Sequence, residues 1–116
     1  MSRADWTTPL PPDHDERLAR AQLALDGLSV GDAFGQRFFY APSVESLIAE
    51  RAVPAPAWPY TDDTEMALAI IEVLRRRGQI AQDDLAGVFA RRYRANPGRG
   101  YGGTAHGILE TLAADR

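Results

Sequence analysis

The fold of this chain is decided by residues 61–78, which read TDDTEMALAIIEVLRRRG. After Thr61 the apolar residues recur at the period of an α-helix, and Gly78 stands where a helix end favours glycine. The three arginines before it suit the negative end of the helix dipole, and we interpret them as a solvated helix end. The stretch predicts a helix from Thr61 to Arg77, whose apolar set is Met66, Leu68, Ala69, Ile70, Val73 and Leu74.

Helical patterns also precede this segment. Asp13, followed by Glu16, resembles a capping box at the start of a helix that continues to Phe34. Apolar residues surround much of that helix, so we expect it to be buried. Ser43 predicts the start of a short helix through Arg51, and the prolines that follow it predict an extended connection.

Two more helices are predicted after Gly78. The first begins at Asp83 or Asp84 and ends near Ala95, with Leu85, Val88, Phe89 and Tyr93 facing inward. A glycine-rich loop at 96–103 then leads to a final helix. We predict that Thr104 caps this helix, which still runs at Leu112. With no strand pattern present, the prediction is an all-α fold, with residues 1–12 as a flexible tail and residues 13–116 as one helical domain.

Composition excludes several classes of function. The chain has 116 residues, 45% of them hydrophobic, which is enough for one domain with a core. Its formal charge of −3 and the lack of a basic face argue against nucleic-acid binding. The absence of cysteine excludes disulfides and thiolate metal sites. Neither a signal-peptide pattern nor a membrane-spanning apolar run is visible, so we expect a cytoplasmic protein with no membrane partner.

Asp62 and Asp63 are candidate metal ligands. Two adjacent carboxylates beside the hydroxyls of Thr61 and Thr64 provide hard oxygen donors, which Mg²⁺ and Mn²⁺ favour. The alternative is helix capping, because threonine is a good N-cap and aspartate in a first turn complements the dipole. Capping needs one aspartate at most, however, and a divalent cation would relieve the repulsion between two.

Asp32 lies in a second notable segment, residues 27–35, which read GLSVGDAFG. An unpaired carboxylate among apolar neighbours is costly to bury, so we expect it to bind an arginine, a backbone amide or a ligand hydroxyl. A structural role and a site role are equally open. Gly27, Gly31 and Gly35 share one side of the helix. They indicate either close approach of another backbone or a helix break that admits a ligand.

The loop at 96–103 is a candidate anion site. Glycine amides and a helix N-terminus can hold an anion, although the sequence matches neither a P-loop nor a Rossmann fingerprint; the alternative is a mobile loop. We interpret His106, which follows it, as a packing or surface residue, and His14 as solvated. Trp58 and Tyr60 either wall a pocket or pack in the core.

Three motifs occur in order: Gly31-Asp32-Ala33-Phe34-Gly35, Tyr60-Thr61-Asp62-Asp63-Thr64-Glu65-Met66 and Tyr101-Gly102-Gly103-Thr104. From about Arg17 onward the chain resembles the N-terminal part of the ADP-ribosylglycohydrolase family, relatives of dinitrogenase reductase-activating glycohydrolase. The resemblance implies the N-terminal portion of an all-α fold with a binuclear Mg²⁺ or Mn²⁺ centre in a cleft. It also implies hydrolysis of the glycosidic bond between ADP-ribose and a protein side chain or small acceptor.

The resemblance assigns roles by motif match. Thr61, Asp62 and Asp63 would be metal ligands, and the two aspartates would act in catalysis through a metal-bound water. Asp32 would support that site or the substrate. The residues expected to border the ADP-ribose pocket are Gly100, Tyr101, Gly102, Gly103 and Thr104. The implied partner is an ADP-ribosylated protein or another ADP-ribose conjugate.

One departure concerns a second acidic motif. Members of the family are longer and carry an Asp-x-Asp-Thr type motif toward the C-terminus, and nothing after Thr64 supplies it here. We therefore expect a truncated gene product or a fragment, with an incomplete two-cation site. Two other hypotheses stay open: a non-catalytic helical module that binds ADP-ribose or a partner protein, and a purely structural helical domain.

Overall fold

The computed structural model describes residues 9–115. No strand occurs in this range, which confirms the all-α prediction. Its helices are, in order, α1 (His14–Gln36), a 3₁₀ turn (Arg37–Tyr40), α2 (Val44–Glu50), α3 (Asp62–Arg77), α4 (Gln82–Ala95) and α5 (Gly103–Ala114). None of these helices has the length and apolar character needed to cross a membrane.

Helix α3 contacts both α1 and α4, and α5 packs against α4. Ala69 and Val73 of α3 meet Val88 of α4 in one buried cluster. A second cluster joins Tyr93, Tyr101 and Leu109, with Met66 and Phe89 packed against it. The predicted inward face of α4 is thus confirmed.

The predicted bounds of α3 are confirmed by both caps. The hydroxyl of Thr61 accepts a hydrogen bond from the Asp63 amide at 3.2 Å. Gly78 ends the helix in the left-handed conformation, with φ +69°, as a C-terminal glycine does. The arginine run is not a wholly solvated end, however. The side chain of Arg77 is only 9% exposed and pairs with Asp84.

Several predicted caps are wrong. Asp13 occupies the N-cap position of α1, but its side chain makes no capping bond. Helix α4 begins at Gln82, before either predicted aspartate. Helix α5 is capped by Gly102, and Thr104 lies in its first turn. Glycine is an acceptable N-cap, and the contacts of the preceding loop, described below, set where α5 begins.

The expectation of a buried α1 is also wrong. Leu25 and Ala33 are buried, whereas Leu23 and Val30 are 72% and 60% exposed. The reason is that α3 packs against α1 from one side, and within the described residues the opposite apolar positions are left open. A side chain built at any glycine of the stripe at 27, 31 and 35 meets nothing within 4 Å, and α1 is continuous through them. Within the part of the chain that the structure describes, no backbone approaches this stripe closely, and α1 has no break there that could admit a ligand.

The start of the described chain is attached to the end of α3. Residues 1–8 of the predicted tail lie outside the described range. Leu10 and Pro11 lie beside Gly78, where an added Cβ would come 2.6 Å from the Pro11 Cδ. His14, interpreted as solvated, is partly exposed, and its Nε2 lies 3.0 Å from the carbonyl oxygen of Arg75.

Candidate active site at the start of helix α3

Asp32 of α1 is bonded to the first turn of α3. Its Oδ2 accepts hydrogen bonds from the Thr61 amide at 2.8 Å and from the Thr64 hydroxyl at 2.7 Å. Its Oδ1 accepts a bond from the Thr61 hydroxyl at 2.7 Å. Thr61 and Thr64 are both buried. Of the partners expected for this carboxylate, the structure shows a backbone amide, and two threonine hydroxyls also donate to it. These bonds join α1 to α3.

The backbone donors at the start of α3 are satisfied without the side chains of Asp62 and Asp63. The Thr61 amide donates to Asp32, and the Asp63 amide donates to the Thr61 hydroxyl. The Asp62 amide donates to the carbonyl of Arg99 at 2.8 Å. Because three other groups cap this helix, capping does not account for the two adjacent carboxylates.

The pKa values of Asp32 and Asp63 are shifted in opposite directions. Burial alone would raise the pKa of Asp32, but the hydrogen bonds from Thr61 and Thr64 outweigh it and lower that pKa below the ordinary value. The pKa of Asp63 is raised, first by burial and then by the negative charges of Asp62 and Asp32. The protein therefore holds Asp32 ionised while placing mutually repelling charge at Asp63.

These donors fit part of a divalent cation site. Asp62 and Asp63 offer carboxylate oxygens, and the Thr61 hydroxyl retains a free lone pair after its two hydrogen bonds. A cation would also relieve the repulsion that raises the pKa of Asp63. No group of three or more His, Cys, Asp or Glu residues that could hold a metal is found between residues 9 and 115. A complete coordination shell therefore needs further ligands.

The glycine loop at 96–102 is held against this site at Arg99. The Arg99 carbonyl accepts a hydrogen bond from the Asp62 amide, and the side chain of Arg99 donates one from Nη1 to the Tyr60 carbonyl at 3.1 Å. The guanidinium carbon also lies 4.0 Å from the centroid of the Tyr60 ring. Gly100 has φ +90°, a backbone conformation that residues with a side chain rarely adopt, so the turn after Arg99 needs glycine.

A cavity of about 200 Å³ adjoins the acidic turn, which is the start of α3 at residues 61–64. It is lined by Gln36, Tyr40, Pro59, Tyr60, Thr61, Gly98, Arg99 and Gly100. Tyr60 thus walls a pocket, whereas Trp58 packs edge-on against Phe34 with ring centroids 5.3 Å apart.

The residues predicted to bind substrate are not all brought together. Gly100 lines the cavity beside Thr61, and Tyr101 is buried against Tyr93 and Leu109. Gly102 caps α5, while Gly103 and Thr104 line a separate open groove along that helix. Gly100 therefore shares a cavity with one of the predicted metal ligands, Thr61.

His106 is a packing residue, as expected. Its Nδ1 lies 2.6 Å from the Tyr93 hydroxyl, and its ring packs against those of Tyr93 and Tyr101. Burial raises the pKa of Tyr93, and the nearby charge of Glu110 adds to the effect. Nothing in this arrangement directs the imidazole toward the acidic turn.

Sequence reasoning missed an ion pair behind the acidic turn. Glu65 is 6% exposed, and its Oε1 accepts a hydrogen bond from Arg92 Nε at 2.6 Å. Its Oε2 accepts a bond from the Tyr60 hydroxyl at 3.1 Å. The available signal was a carboxylate leading directly into an apolar helix face, where burial demands a partner.

Known proteins resemble this chain in sequence over most of its length. A sequence model of the ADP-ribosylglycohydrolase family matches residues 13–116. Human ADP-ribosylhydrolase ARH3 is 33% identical over 108 residues, which cover 82% of this chain and 30% of the human protein. The mouse ADP-ribosylhydrolase ARH3 is 38% identical over 108 residues, covering 82% of this chain and 29% of the relative.

A bacterial relative shows a similar match. The ADP-ribosylarginine hydrolase Tri1 of Pseudomonas putida (strain GB-1) is 32% identical over 98 residues, covering 81% of this chain and 25% of the relative. No solved structure shows a significant match. The chain thus spans 30% or less of the length of these relatives. With a family match over residues 13–116, it belongs to the ADP-ribosylglycohydrolase family.

Proposed function

We propose that this chain forms part of the active site of a metal-dependent hydrolase that cleaves the glycosidic bond between ADP-ribose and an acceptor. One observation supports this proposal above the others. Asp32, Thr61 and the Arg99 carbonyl together satisfy the start of α3, so the carboxylates of Asp62 and Asp63 are available to ligate a cation. The relatives add support, because one is an ADP-ribosylhydrolase and another an ADP-ribosylarginine hydrolase.

The residues of this chain have distinct tasks in the proposed site. Asp62 and Asp63 would bind Mg²⁺ or Mn²⁺, and Thr61 would provide a hydroxyl oxygen. Asp32 holds that hydroxyl in place by accepting a 2.7 Å hydrogen bond from it. When bound, the metal supplies Lewis acidity that polarises hydroxyl groups and lowers the pKa of water. The carboxylates also stabilise the positive charge that develops on the ribosyl ring as the bond breaks.

The cavity beside the acidic turn is suited to part of the substrate. The residues that line it include Arg99, two tyrosines (Tyr40 and Tyr60) and two glycines (Gly98 and Gly100). A guanidinium and backbone amides attract phosphate oxygens, and aromatic rings pack against sugars or bases. We infer that a portion of an ADP-ribosyl group lies here, with its ribose toward Asp62 and Asp63.

A second candidate function is ADP-ribose binding without hydrolysis. It is favoured by the absence, within residues 9–115, of a group of three or more acidic or histidine side chains that could hold a metal. Hydrolysis through a two-cation site requires more ligands than the first turn of α3 provides. Metal binding alone does not separate the two candidates, so hydrolysis must be measured as well.

Titration and turnover together test the proposal. Mn²⁺ and ADP-ribose are titrated calorimetrically into the protein and into its Asp62→Ala and Asp63→Ala variants. Asp15→Ala is the matched control, because Asp15 is an exposed aspartate in the first turn of another helix. Release of ADP-ribose from ADP-ribosylated arginine and serine peptides is then measured with Mn²⁺ and with a chelator.

We expect Mn²⁺ binding to be lost in both site variants and retained in Asp15→Ala. Metal-dependent release of ADP-ribose supports the hydrolase. Binding of ADP-ribose with no release from either peptide supports the second candidate. A folded chain that binds no Mn²⁺, or whose hydrolysis persists in both site variants, would overturn the proposed metal-dependent mechanism.

A further inference from the structure

Contacts that include the first turn of α3 form a closed ring through Glu65, Tyr60, Arg99 and Asp62. Glu65 pairs with Arg92 of α4 and accepts the Tyr60 hydroxyl at 3.1 Å. Tyr60 in turn receives the Arg99 guanidinium on its ring and on its carbonyl oxygen. The ring closes where the Arg99 carbonyl accepts the amide of Asp62 at 2.8 Å.

Arg99 is the member of this ring that connects the glycine loop to Asp62 and Asp63. Both its backbone and its side chain take part. Its backbone carbonyl fixes the Asp62 amide, and its side chain is attached to Tyr60. Gly98 and Gly100 flank it, and glycine gives a backbone unusual conformational freedom. The side-chain contacts of Arg99 therefore help to keep its carbonyl on the Asp62 amide.

We propose that Arg99 is a positioning residue, whose side chain holds the glycine loop on Tyr60 and thereby keeps Asp62 oriented for its ligand. The metal part of this inference rests on the proposed function. Groups that orient metal ligands typically change metal affinity 10–100-fold when they are removed. Arg99 acts in this way through a backbone bond to the ligand-bearing residue, without contacting the cation.

Arginine suits this position better than lysine. The guanidinium is planar, so it stacks on the Tyr60 ring and donates in its own plane to the carbonyl of the same residue. Lysine retains the charge and can still donate to the Tyr60 carbonyl, but it lacks the planar group that stacks on the ring. Arg99→Lys is therefore the conservative variant expected to restore part of the function.

The surface that receives the guanidinium is itself rigidly held. Tyr60 is attached through its hydroxyl to Glu65, which is buried and paired with Arg92. Tyr101, two residues after Arg99, is buried close to the same turn. Its pKa is raised first by burial and then by the charges of Glu65 and Asp62. Two points of the loop thus lie against the first turn of α3, and Arg99 is the point that contacts Asp62.

The test combines Mn²⁺ titration with amide hydrogen exchange on the intact chain. The variants are Arg99→Ala, Arg99→Lys and the control Arg20→Ala, which removes an exposed arginine from α1. We expect Arg99→Ala to weaken Mn²⁺ binding about 10–100-fold, Arg99→Lys to be intermediate and the control to bind normally. The Asp62 amide should exchange faster in metal-free Arg99→Ala, while the Ala69 amide in mid-helix keeps its protection.

The outcomes separate this inference from the proposed function. If the unmodified chain binds Mn²⁺ through Asp62 and Asp63 and Arg99→Ala binds it equally well, the positioning role is overturned and the metal site stands. If the unmodified chain binds no Mn²⁺, both are overturned. Uniform loss of protection along α3 would show that Arg99 merely stabilises the helix, which also overturns the positioning role.

Discussion

The hydroxyl of Thr64 in α3 donates a 2.7 Å hydrogen bond to the carboxylate of Asp32 in α1. Thr64 is 2% exposed, so the bond is shielded from water. Together with the bonds from Thr61, it places the charge of another helix at the positive end of the α3 dipole. An acid distant in sequence thus takes the role that a first-turn aspartate usually has.

Replacing Asp32 with asparagine should destabilise the protein. Asparagine carries an NH₂ group where the wild-type carboxylate accepts bonds from Thr61 and Thr64, so a buried donor loses its partner. We expect a loss of about 1–3 kcal/mol in the free energy of unfolding, measured by urea denaturation at neutral pH. Asp26→Asn, at an exposed position of the same helix, is the control and should have little effect.

The effect of Asp32→Asn should depend on pH in a defined direction. Burial opposes ionisation of Asp32, but its hydrogen bonds dominate and depress its folded-state pKa below the ordinary value of 3.8. Its contribution is therefore fully present above that value and is lost as the pH falls through the folded-state pKa. The wild-type protein and the variant should converge in stability under acid. A stability difference that persists unchanged there would contradict this role.

Asp63→Asn should have effects of opposite sign without and with metal. Burial and the charges of Asp62 and Asp32 raise the pKa of Asp63, so its ionisation destabilises the metal-free fold as the pH rises above 3.8. Removing the charge should therefore raise the metal-free melting temperature slightly at neutral pH and low salt. With Mn²⁺, the wild type should gain stability and the variant should not.

Differential scanning fluorimetry, with and without Mn²⁺, measures both effects of Asp63→Asn. The matched control is Asp15→Asn, which removes an exposed first-turn charge from α1. A metal-free variant less stable than the wild type would mean that the dipole, and not repulsion, governs Asp63. An equal Mn²⁺-induced gain in both proteins would remove Asp63 from the ligand set.

Sequence alone predicted the elements that depend on local interactions. The predicted bounds of helix α3 are correct at both ends, because the Thr61 cap and the C-terminal Gly78 act through contacts within a few residues. The cap of α5 was not predictable in this way. Thr104 has suitable chemistry, but Arg99 and Tyr101 dock the preceding loop, and the helix begins at Gly103. Tertiary contacts thus override a local preference.

The site divides along the same line. The adjacency of Asp62 and Asp63 is visible in the sequence and requires no fold. The partners of Asp32 lie 29 and 32 positions away, and the Glu65–Arg92 pair spans 27 positions. Composition and periodicity carry no information about such pairings. Each of these acids could be recognised as needing a partner, but only the packed helices identify it.

Two glycines should respond to alanine in opposite ways. Gly27→Ala in α1 places a methyl group in open space within a helix, so it should stabilise the protein by roughly 0.5–1 kcal/mol. Gly78→Ala introduces strain at φ +69° and a clash with Pro11, whose Cδ lies 2.6 Å from the point that the new methyl carbon would occupy, so it should destabilise by more than about 1 kcal/mol. Thermal unfolding of both variants measures the contrast. Destabilisation by Gly27→Ala would show that this face of α1 is covered in solution.

Breaking the Glu65–Arg92 pair should be the most damaging of these changes. Glu65→Ala leaves the Arg92 guanidinium, with 24% of its side chain exposed, without its carboxylate partner. Loss of one partner of a buried ion pair costs about 3–5 kcal/mol, and the partial exposure of Arg92 favours the lower end of that range. Urea denaturation followed by circular dichroism measures the loss.

A compensating variant distinguishes a stranded charge from lost packing. In the combined Tyr60→Phe, Glu65→Leu and Arg92→Met protein, the charge pair and the hydroxyl that it binds are removed together. Because hydrophobic replacement of a whole buried pair is often neutral, this protein should recover most of the stability that Glu65→Ala loses. A loss below about 1 kcal/mol in Glu65→Ala would instead mean that the pair is screened like a surface ion pair.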